Sequence, residues 1–354
     1  MSSETEWGLL EEVIVGRVEG AMFPSWDIIL RNTIPKKALA EYESQFSGKG
    51  TPIPNYIVEK ASIDLDNFID LLKSEGVKVR QPEVCDFQKP FSTPIWEVES
   101  GVSCANPRDI FLVINNCIIE CPMADRGRYF EVWPYRKILK ELFSAGWNWV
   151  SAPKPMLSDE LYSINFSDNA LYSITEFEPT FDGADFVRCG KDIIGQISHV
   201  TNHFGIKWLR NFLGDEYKIH IINSKCPEAL HIDTTIAPLA NGKLLVNPEF
   251  VDSNSLPDFF DNWEIIEAPK PDSFITEIGE YRVVSDWMSI NVLSLDERRV
   301  IVEEKQESLI KTLKDKGFDP IPCAFENYYI FGGSFHCATL DISRRCSFKN
   351  RENI

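Results

Sequence analysis

The chain has 354 residues, of which 44% are hydrophobic and 25% are charged. These are ordinary globular values, so the composition excludes a disordered or fibrous protein, and a chain of this length buries a core without disulfides. The 36 basic and 54 acidic residues give a formal net charge of −18. That charge repels a phosphate backbone and argues against nucleic-acid binding, whereas it suits a guanidinium or ammonium substrate.

The first residues, from Met1 to Trp7, are polar and acidic, so the sequence predicts neither a signal peptide nor a transit peptide. No window approaches about 18 consecutive apolar residues, so no membrane span and no membrane partner are predicted. The nine cysteines form no regular framework and are expected to be reduced thiols. The predicted location is the cytoplasm.

A unit of two strands, a tight turn, a helix and a further strand recurs along the chain. Its first apolar run is Leu9–Val15, and the second unit places two strands around an Asn-Asn turn within Asp109–Glu120. A helix is then predicted from Arg128 to Ala145, with Gly146 as its end.

Three further units follow in order. The third has strands in Asp185–Ile194, a helix over Thr201–Leu213 and a strand over Tyr217–Ile222. The fourth has strands between His231 and Asn247. The fifth has apolar runs over Met288–Leu295 and Val300–Val302, followed by a helix over Gln306–Lys316. No low-complexity linker interrupts them, so a single domain over residues 1–354 is predicted. The repeat favours a closed circular array over a doubly wound sheet, the alternative being a generic mixed α/β domain.

The sharpest local signal for chemistry is the stretch from Phe331 to Thr339, in which a Gly-Gly pair shortly precedes Cys337. Glycines let the backbone approach a ligand closely, and a thiolate needs a base or a cation beside it. His231 could be that base, since His231 and Asp233 are predicted to share one face of a strand. The alternative is a buried structural cysteine.

Two acidic clusters precede apolar strands, one with Asp182 and Asp185 and the other ending at Asp109. Carboxylates are costly to bury unless they bind something, and their alternative interpretation is as turn residues. His199 and His203 lie four apart on a predicted helix, but no third ligand lies nearby in the sequence. No metal site is therefore predicted.

Together these clusters resemble those of the arginine:glycine and inosamine-phosphate amidinotransferases. The shared motifs occur in order through nearly the whole chain, at residues 11–16, 107–109, 120–124, 151–155, 181–185, 200–202, 231–233, 291–293 and 332–341. The resemblance implies a fivefold pseudo-symmetric α/β propeller of ββαβ modules, with the site on its central axis. It also implies a homodimer that uses neither a metal nor an organic cofactor.

The resemblance carries roles onto particular residues. The family's nucleophilic cysteine falls on Cys337 and its general acid/base histidine on His231. The aspartate that orients this histidine falls on Asp182, with Asp185 as the less favoured choice. The two carboxylates that hold the guanidinium fall on Asp109 and Asp233.

Ser285, just before Trp287, matches a position whose backbone helps to bind the amino-acid carboxylate. Two departures from the glycine enzyme concern its acceptor. Phe250 stands where that enzyme has a carboxylate-binding arginine, and Glu228–Leu230 replaces its Asn-Pro-Met before the histidine. Glu228 and Leu230 are thus candidate specificity residues, and Glu228 favours a cationic acceptor. The stretch 254–263 is more similar to the microbial aminocyclitol and guanidino-toxin branch.

The sequence therefore predicts transfer of the amidino group of L-arginine, through a covalent amidino-cysteine and with ping-pong kinetics, to a primary amine other than glycine. Ornithine would be released, in toxin or aminocyclitol biosynthesis. One alternative is a guanidine-group hydrolase of the same fold, resembling arginine deiminase, in which water replaces the acceptor. A binding protein without activity is disfavoured because nucleophile, base and carboxylates are all retained.

Overall fold

The structure is a computed structural model that describes residues 2–25, 27–36, 50–163, 172–228, 230–273 and 285–345. Its longest helix, Asn55–Ser74, shows how the sequence forms these elements. Ile57, Ala61, Leu65, Phe68 and Leu72 recur every three or four residues, and all are buried. Within the described ranges the α-helices are α1 (Ile28–Thr33), α2 (Asn55–Ser74), α3 (Pro107–Ile110), α4 (Arg136–Ser144), α5 (His203–Leu213) and α6 (Glu307–Asp315).

Five three-stranded sheets in the described part of the chain share one topology. In each, the central strand pairs antiparallel with one neighbour and parallel with the other. In order across each sheet they are A (Thr339–Arg345, Leu9–Val15, Lys78–Arg80), B (Phe111–Ile114, Cys117–Glu120, Asn148–Ser151), C (Phe186–Cys189, Asp192–Gln196, Lys218–Ile222), D (Ile236–Ala240, Lys243–Val246, Glu264–Glu267) and E (Leu293–Ser294, Arg299–Glu303, Asp319–Cys323).

The repeat confirms the predicted α/β class. A helix precedes the third strand of sheets A, B, C and E, whereas sheet D has two short 3-10 segments there, Ser253–Ser255 and Asp258–Phe260. Two short hairpins, Met22–Phe23 with Thr51–Pro52 and Phe91–Ser92 with Glu97–Val98, lie outside the repeat. Among the described residues, no hydrogen-bonded sheet joins all five units into a closed ring.

Sheet A joins the two ends of the chain. Its antiparallel register pairs Leu9 with Arg345 and Val15 with Thr339. Because Thr339 lies two residues after Cys337, this pairing fixes the loop that carries the thiol. Phe335, in the same loop, packs against Phe68 of α2 and Phe325, with ring centroids 5.1 and 4.6 Å away.

His199 lies outside the helix His203–Leu213, and the apolar run predicted from Met288 to Leu295 begins in a 3-10 segment and forms a strand only at Leu293–Ser294.

Two further local predictions were wrong near the site. The helix predicted over 128–145 is divided into 3-10 segments at Arg126–Arg128 and Trp133–Tyr135, followed by α4. Pro134 explains the break, because proline lacks the N–H that a helix interior needs. Residues Ile232–Thr234 form a 3-10 turn rather than a strand, so His231 and Asp233 do not share a strand face.

Six clusters of buried apolar side chains form the core in the described residues, beneath and between the sheets. No helix in these ranges is long and apolar enough to cross a membrane.

Candidate active site

A cavity of about 530 Å³ brings together the residues to which the sequence assigned catalytic or substrate-binding roles, with the exception of Asp185, the less favoured partner of the histidine. Its walls come from loops that follow or precede strands of several sheets, so residues from distant parts of the chain meet there. The predicted residues that line it are Asp109, Asp182, Glu228, Leu230, His231, Asp233, Phe250, Ser285 and Cys337.

The nucleophile loop is held in a tight backbone turn. Gly332 has φ of +82°, a left-handed conformation that favours glycine, and a Cβ on Gly333 would lie 2.5 Å from the Cβ of Cys337. The Asn291 Oδ1 accepts hydrogen bonds from the backbone N–H groups of His336 (3.0 Å) and Cys337 (3.2 Å). Its Nδ2 donates to the Cys337 Sγ at 3.1 Å. These contacts present the thiol at the cavity while the residue is only 2% exposed.

The predicted acid/base histidine lies beside this thiol. Ligand atoms of Cys337, His231 and Asp109 all lie within 4.8 Å of one another. His231 Nε2 lies 3.0 Å from the Oδ2 of Asp182, so the structure pairs the histidine with Asp182 rather than with Asp185. The Asp185 Oδ2 instead accepts hydrogen bonds from the Ser198 and Thr201 hydroxyls at 2.6 and 2.5 Å.

The two predicted guanidinium-binding carboxylates each leave one oxygen unused. Asp109 Oδ2 accepts a hydrogen bond from Arg128 Nη1 at 2.9 Å. Asp233 Oδ2 accepts from His336 Nδ1 at 2.8 Å and from the Cys337 thiol at 3.2 Å. The Oδ1 atoms of both aspartates are buried and have no hydrogen-bond partner among the described residues, although His231 Nδ1 lies 3.5 Å from that of Asp109. Unpartnered buried acceptors of this kind are expected where a ligand supplies the donors.

Burial and charge together perturb the proton affinities of the site. Burial and the neighbouring Asp233 raise the pKa of the Cys337 thiol to about 12. Although burial disfavours a charged imidazole, Asp109 and Asp182 raise the pKa of His231 well above its ordinary value. Burial raises the pKa of Asp109. Burial also opposes ionisation of Asp233, but the hydrogen bond from His336 lowers the pKa of that carboxyl overall. The directions of these shifts favour a thiol on Cys337 and a protonated ring on His231 before substrate binds.

The other predicted residues lie farther along the cavity wall. The Ser285 Oγ accepts a hydrogen bond from the backbone N–H of Trp287 at 3.2 Å and so caps the 3-10 segment Asp286–Ile290. The Phe250 ring lies 6.5 Å from that of Trp287. Glu228 and Leu230 are partly exposed and flank residue 229, which lies outside the described residues.

Three residues of the site were not predicted from the sequence. Arg128 bonds Asp109 and donates to Glu131 at 2.8 Å, Asn291 holds the nucleophile loop, and His336 bonds Asp233. Asn291 and His336 lie inside motifs that carry the resemblance, which was the available signal. The sequence gives no comparable signal for Arg128, because an arginine near the start of a predicted helix is common.

One group in the described residues has the spacing of metal ligands, and it consists of Asp109, His231 and Cys337. These side chains are the same ones that form the predicted catalytic centre. The expectation of a metal-free and cofactor-free site stays a prediction.

Comparison with known proteins first identifies a shared fold. A dimethylarginine dimethylaminohydrolase from Pseudomonas aeruginosa superposes with a TM-score of 0.58 at 14% identity, over 94% of this chain and 99% of its own. This likeness concerns the fold alone. No family model matches the chain.

The chain belongs to the amidinotransferase family. It is 48% identical over 348 residues to L-arginine:L-lysine amidinotransferase of Pseudomonas savastanoi pv. phaseolicola, covering 97% of this chain and 94% of that protein. SxtG, an amidinotransferase of the saxitoxin pathway of Microseira wollei, is 56% identical with a TM-score of 0.95 over 99% of both chains. Inosamine-phosphate amidinotransferase of Streptomyces griseus is 33% identical with a TM-score of 0.89, over 98% of this chain and 97% of its own.

Proposed function

We propose that the protein transfers the amidino group of L-arginine to an amine acceptor through a covalent amidino group on Cys337. The observation that carries the proposal is the pair of buried, unpartnered Oδ1 atoms of Asp109 and Asp233 beside the thiol. Two carboxylates can accept hydrogen bonds from a planar guanidinium in a fixed orientation. Such a clamp would hold the guanidinium carbon opposite the Cys337 Sγ and so remove most of the entropic cost of attack.

The first half-reaction begins with ionisation of the thiol. The bound guanidinium is a cation, so it offsets the charge of Asp233 and lowers the pKa of Cys337, whose proton passes to solvent. The sulfur then bonds to the guanidinium carbon, and the bond from that carbon to the side-chain nitrogen of arginine breaks. His231, as the imidazolium, gives its proton to the departing nitrogen, and ornithine leaves.

The second half-reaction returns the enzyme to its starting state. The neutral acceptor amine bonds to the amidino carbon, His231 takes a proton from the new C–N centre, and the carbon–sulfur bond breaks. The Cys337 thiolate that leaves then takes back a proton from solvent, which restores the thiol. Asp182 holds His231 Nε2, so Nδ1 faces the reacting atoms in both steps. Because ornithine leaves before the acceptor reacts, ping-pong kinetics are expected.

The outer cavity supports a cationic acceptor rather than glycine. Carboxylates outnumber cations in its described lining. The carboxylates include Asp125, Glu228, Glu249, Asp272, Asp286 and Glu326, whereas the cations, apart from His231, are Arg128 and Lys270. Phe250 adds no positive charge for an acceptor carboxylate. In this assignment Ser285 helps to hold the carboxylate of arginine, and Glu228 and Leu230 contact the acceptor. The homology with SxtG supports a role in toxin biosynthesis.

A steady-state comparison tests the acceptor assignment. Glu228→Gln should raise KM for a diamine acceptor such as putrescine about tenfold, because one charge-assisted contact is lost, and should leave KM for arginine unchanged. Glu267→Gln, on the exposed end of sheet D and away from the cavity lining, is the matched control. Equal KM values for putrescine in the wild type and Glu228→Gln would contradict a role for Glu228.

Intact mass after mixing the protein with L-arginine alone tests the transfer itself. The wild type should gain about 42 Da, the mass of one amidino group replacing the thiol proton, and Cys337→Ser should not. Citrulline formed without any acceptor would instead support the guanidine-group hydrolase. If neither an adduct nor a product forms, arginine is refuted as the donor.

The same proposal covers the organisation of the chain. The five repeated sheets support a single-domain, fivefold pseudo-symmetric propeller with the site on its axis. The homodimer and the cytoplasmic location stay predictions.

A further inference from the structure

The ring of His336 lies behind Asp233 and is not part of the lining of the large cavity. Its Nδ1 is 2.8 Å from Asp233 Oδ2, and its Nε2 is 3.4 Å from the Oε2 of Glu6. A neutral imidazole carries one donor, whereas here both ring nitrogens face carboxylate oxygens. Both ring nitrogens of this side chain, which is only 7% exposed, therefore lie within reach of a carboxylate oxygen.

Glu6 belongs to a buried ionic cluster beneath the site. It binds Arg188 at 2.7 Å and Arg108 at 3.4 Å, and both arginines bind Asp341, at 2.6 and 2.9 Å. Arg344 also binds Asp341, at 2.8 Å. The cluster thus has three guanidinium groups against two carboxylates, and it contacts His336 through the carboxylate of Glu6.

The backbone around His336 is held as firmly as its ring. Arg108 Nε donates to the carbonyl oxygen of His336 at 2.9 Å, and Asn291 Oδ1 accepts from its N–H. These bonds fix the backbone from which the His336 ring reaches Asp233, in the same loop that presents Cys337. Its position keeps the Oδ2 of Asp233 occupied and leaves the Oδ1 available for a ligand.

We infer that His336 is a positioning residue for amidino transfer, which keeps Asp233 ionised and aims its unpartnered oxygen at the guanidinium. This inference rests on the proposed function. Charged groups facing Asp233 are His336, Cys337, His231 and Asp109; those facing His336 are Asp233 and Glu6. Among them, His336 bonds Asp233 directly and lowers the pKa of its carboxyl, so removal of His336 leaves burial to favour the protonated carboxyl.

Two substitutions separate the hydrogen bond from the charge. His336→Asn keeps a donor near the Nδ1 position but removes the imidazole, which can carry a positive charge, whereas His336→Ala removes both the donor and the imidazole. His220→Gln is the matched control, because His220 makes a comparable 2.7 Å contact with Asp192 on sheet C, away from the cavity lining. The rate of Cys337 amidination by L-arginine without acceptor is followed by quenched intact mass across pH.

The expected second-order rate constant falls about tenfold in His336→Asn and about 100-fold in His336→Ala, as for the loss of charged hydrogen bonds. In both variants the acid limb of the pH profile moves to higher pH, since Asp233 then protonates more easily. His220→Gln keeps the wild-type profile. A His336→Asn protein with the wild-type rate and acid limb overturns the inference, and near-ultraviolet circular dichroism checks that each variant is folded.

A second readout does not depend on amidino transfer. The pH profile of Cys337 alkylation by iodoacetamide should gain an acidic inflection in His336→Asn, because protonation of Asp233 removes a charge beside the thiol. An unchanged alkylation profile also overturns the inference. If wild-type protein forms no amidino adduct with arginine, the proposed function fails, while this alkylation profile still decides the role of His336.

Discussion

Removing the charge of Asp233 should make Cys337 more reactive in the free protein while abolishing its use in catalysis. The Cys337 thiol donates to Asp233 Oδ2 at 3.2 Å, and burial together with this carboxylate raises the pKa of the thiol to about 12. Asp233→Asn removes the negative charge and keeps the shape of the side chain. The thiolate is then less disfavoured, so the pKa of Cys337 falls.

The structure bounds the size of this effect. A unit charge 3.2 Å from the sulfur is worth about 5 kcal/mol at an effective dielectric constant of roughly 20. That is an upper limit of nearly 4 pKa units, since each unit corresponds to about 1.4 kcal/mol. A fall of at least about 1 unit is expected, because the rest of the burial cost remains. At a fixed neutral pH, the rate of Cys337 alkylation should rise at least about tenfold.

The assay is iodoacetamide labelling across pH, with the modified cysteine assigned by peptide mapping because the chain has nine cysteines. Asp109→Asn is the comparison, since Asp109 raises the pKa of Cys337 less than Asp233 does, and its labelling rate should change less. Both variants should lose amidination by arginine at least about 100-fold, because each removes a charged partner of the guanidinium. A labelling profile in Asp233→Asn that is unchanged, or moved to higher pH, would refute the electrostatic reasoning.

Three further outcomes are expected. Gly333→Ala should lower the amidination rate at least about tenfold in a folded protein, because the added Cβ would lie 2.5 Å from the Cβ of Cys337. Wild-type kinetics in this variant would show that the loop relaxes freely. Arg128→Gln should lower the free energy of unfolding, measured in urea, by about 3–5 kcal/mol, since it leaves the buried Glu131 and Asp109 without their cation. A decrease below about 1 kcal/mol would contradict this reasoning. Glu6 and Asp341 both have depressed pKa values, against the cost of burial, because Arg108 and Arg188 lie beside them. The two carboxylates therefore contribute fully to the free energy of unfolding above their unfolded pKa values, near 4, and this contribution is lost as the pH falls towards their folded pKa values. Asp341→Asn should accordingly flatten the acid limb of a plot of the free energy of unfolding against pH.

The recurring unit was predictable because its signals are local. Alternating apolar residues, turn residues such as Asn241-Gly242 and a helical stripe each occupy fewer than about 20 residues. These patterns located the hairpins of sheets B and C and the helices α5 and α6 to within a few residues. The same locality explains the errors. Pro134 breaks the helix predicted over 128–145, and the turn at Ile232–Thr234 follows from contacts that no short pattern encodes.

The residue types of the site were also within reach of the sequence. Cys337, His231 and the aspartates stand in short motifs whose composition suits nucleophilic attack on a guanidinium, and the resemblance to amidinotransferases assigned each a role. Every one of the nine residues chosen in this way lines the cavity. The choice between Asp182 and Asp185 as the partner of His231, however, needed the geometry.

What the sequence alone determined is therefore the α/β repeat, the family and the set of reactive groups, because each is encoded by short runs of neighbouring residues. The tertiary structure decided which groups touch: the pairing of Thr339–Arg345 with Leu9–Val15, the contact of Asp109 with Arg128, and the contact of His336 with Glu6, 330 residues apart in sequence. Such contacts depend on the packing of whole sheets against one another, and buried charges tolerate only the arrangement that pairs them. The residue types set the ordinary pKa values of Cys337 and His231, and that arrangement sets how far each pKa departs from its ordinary value.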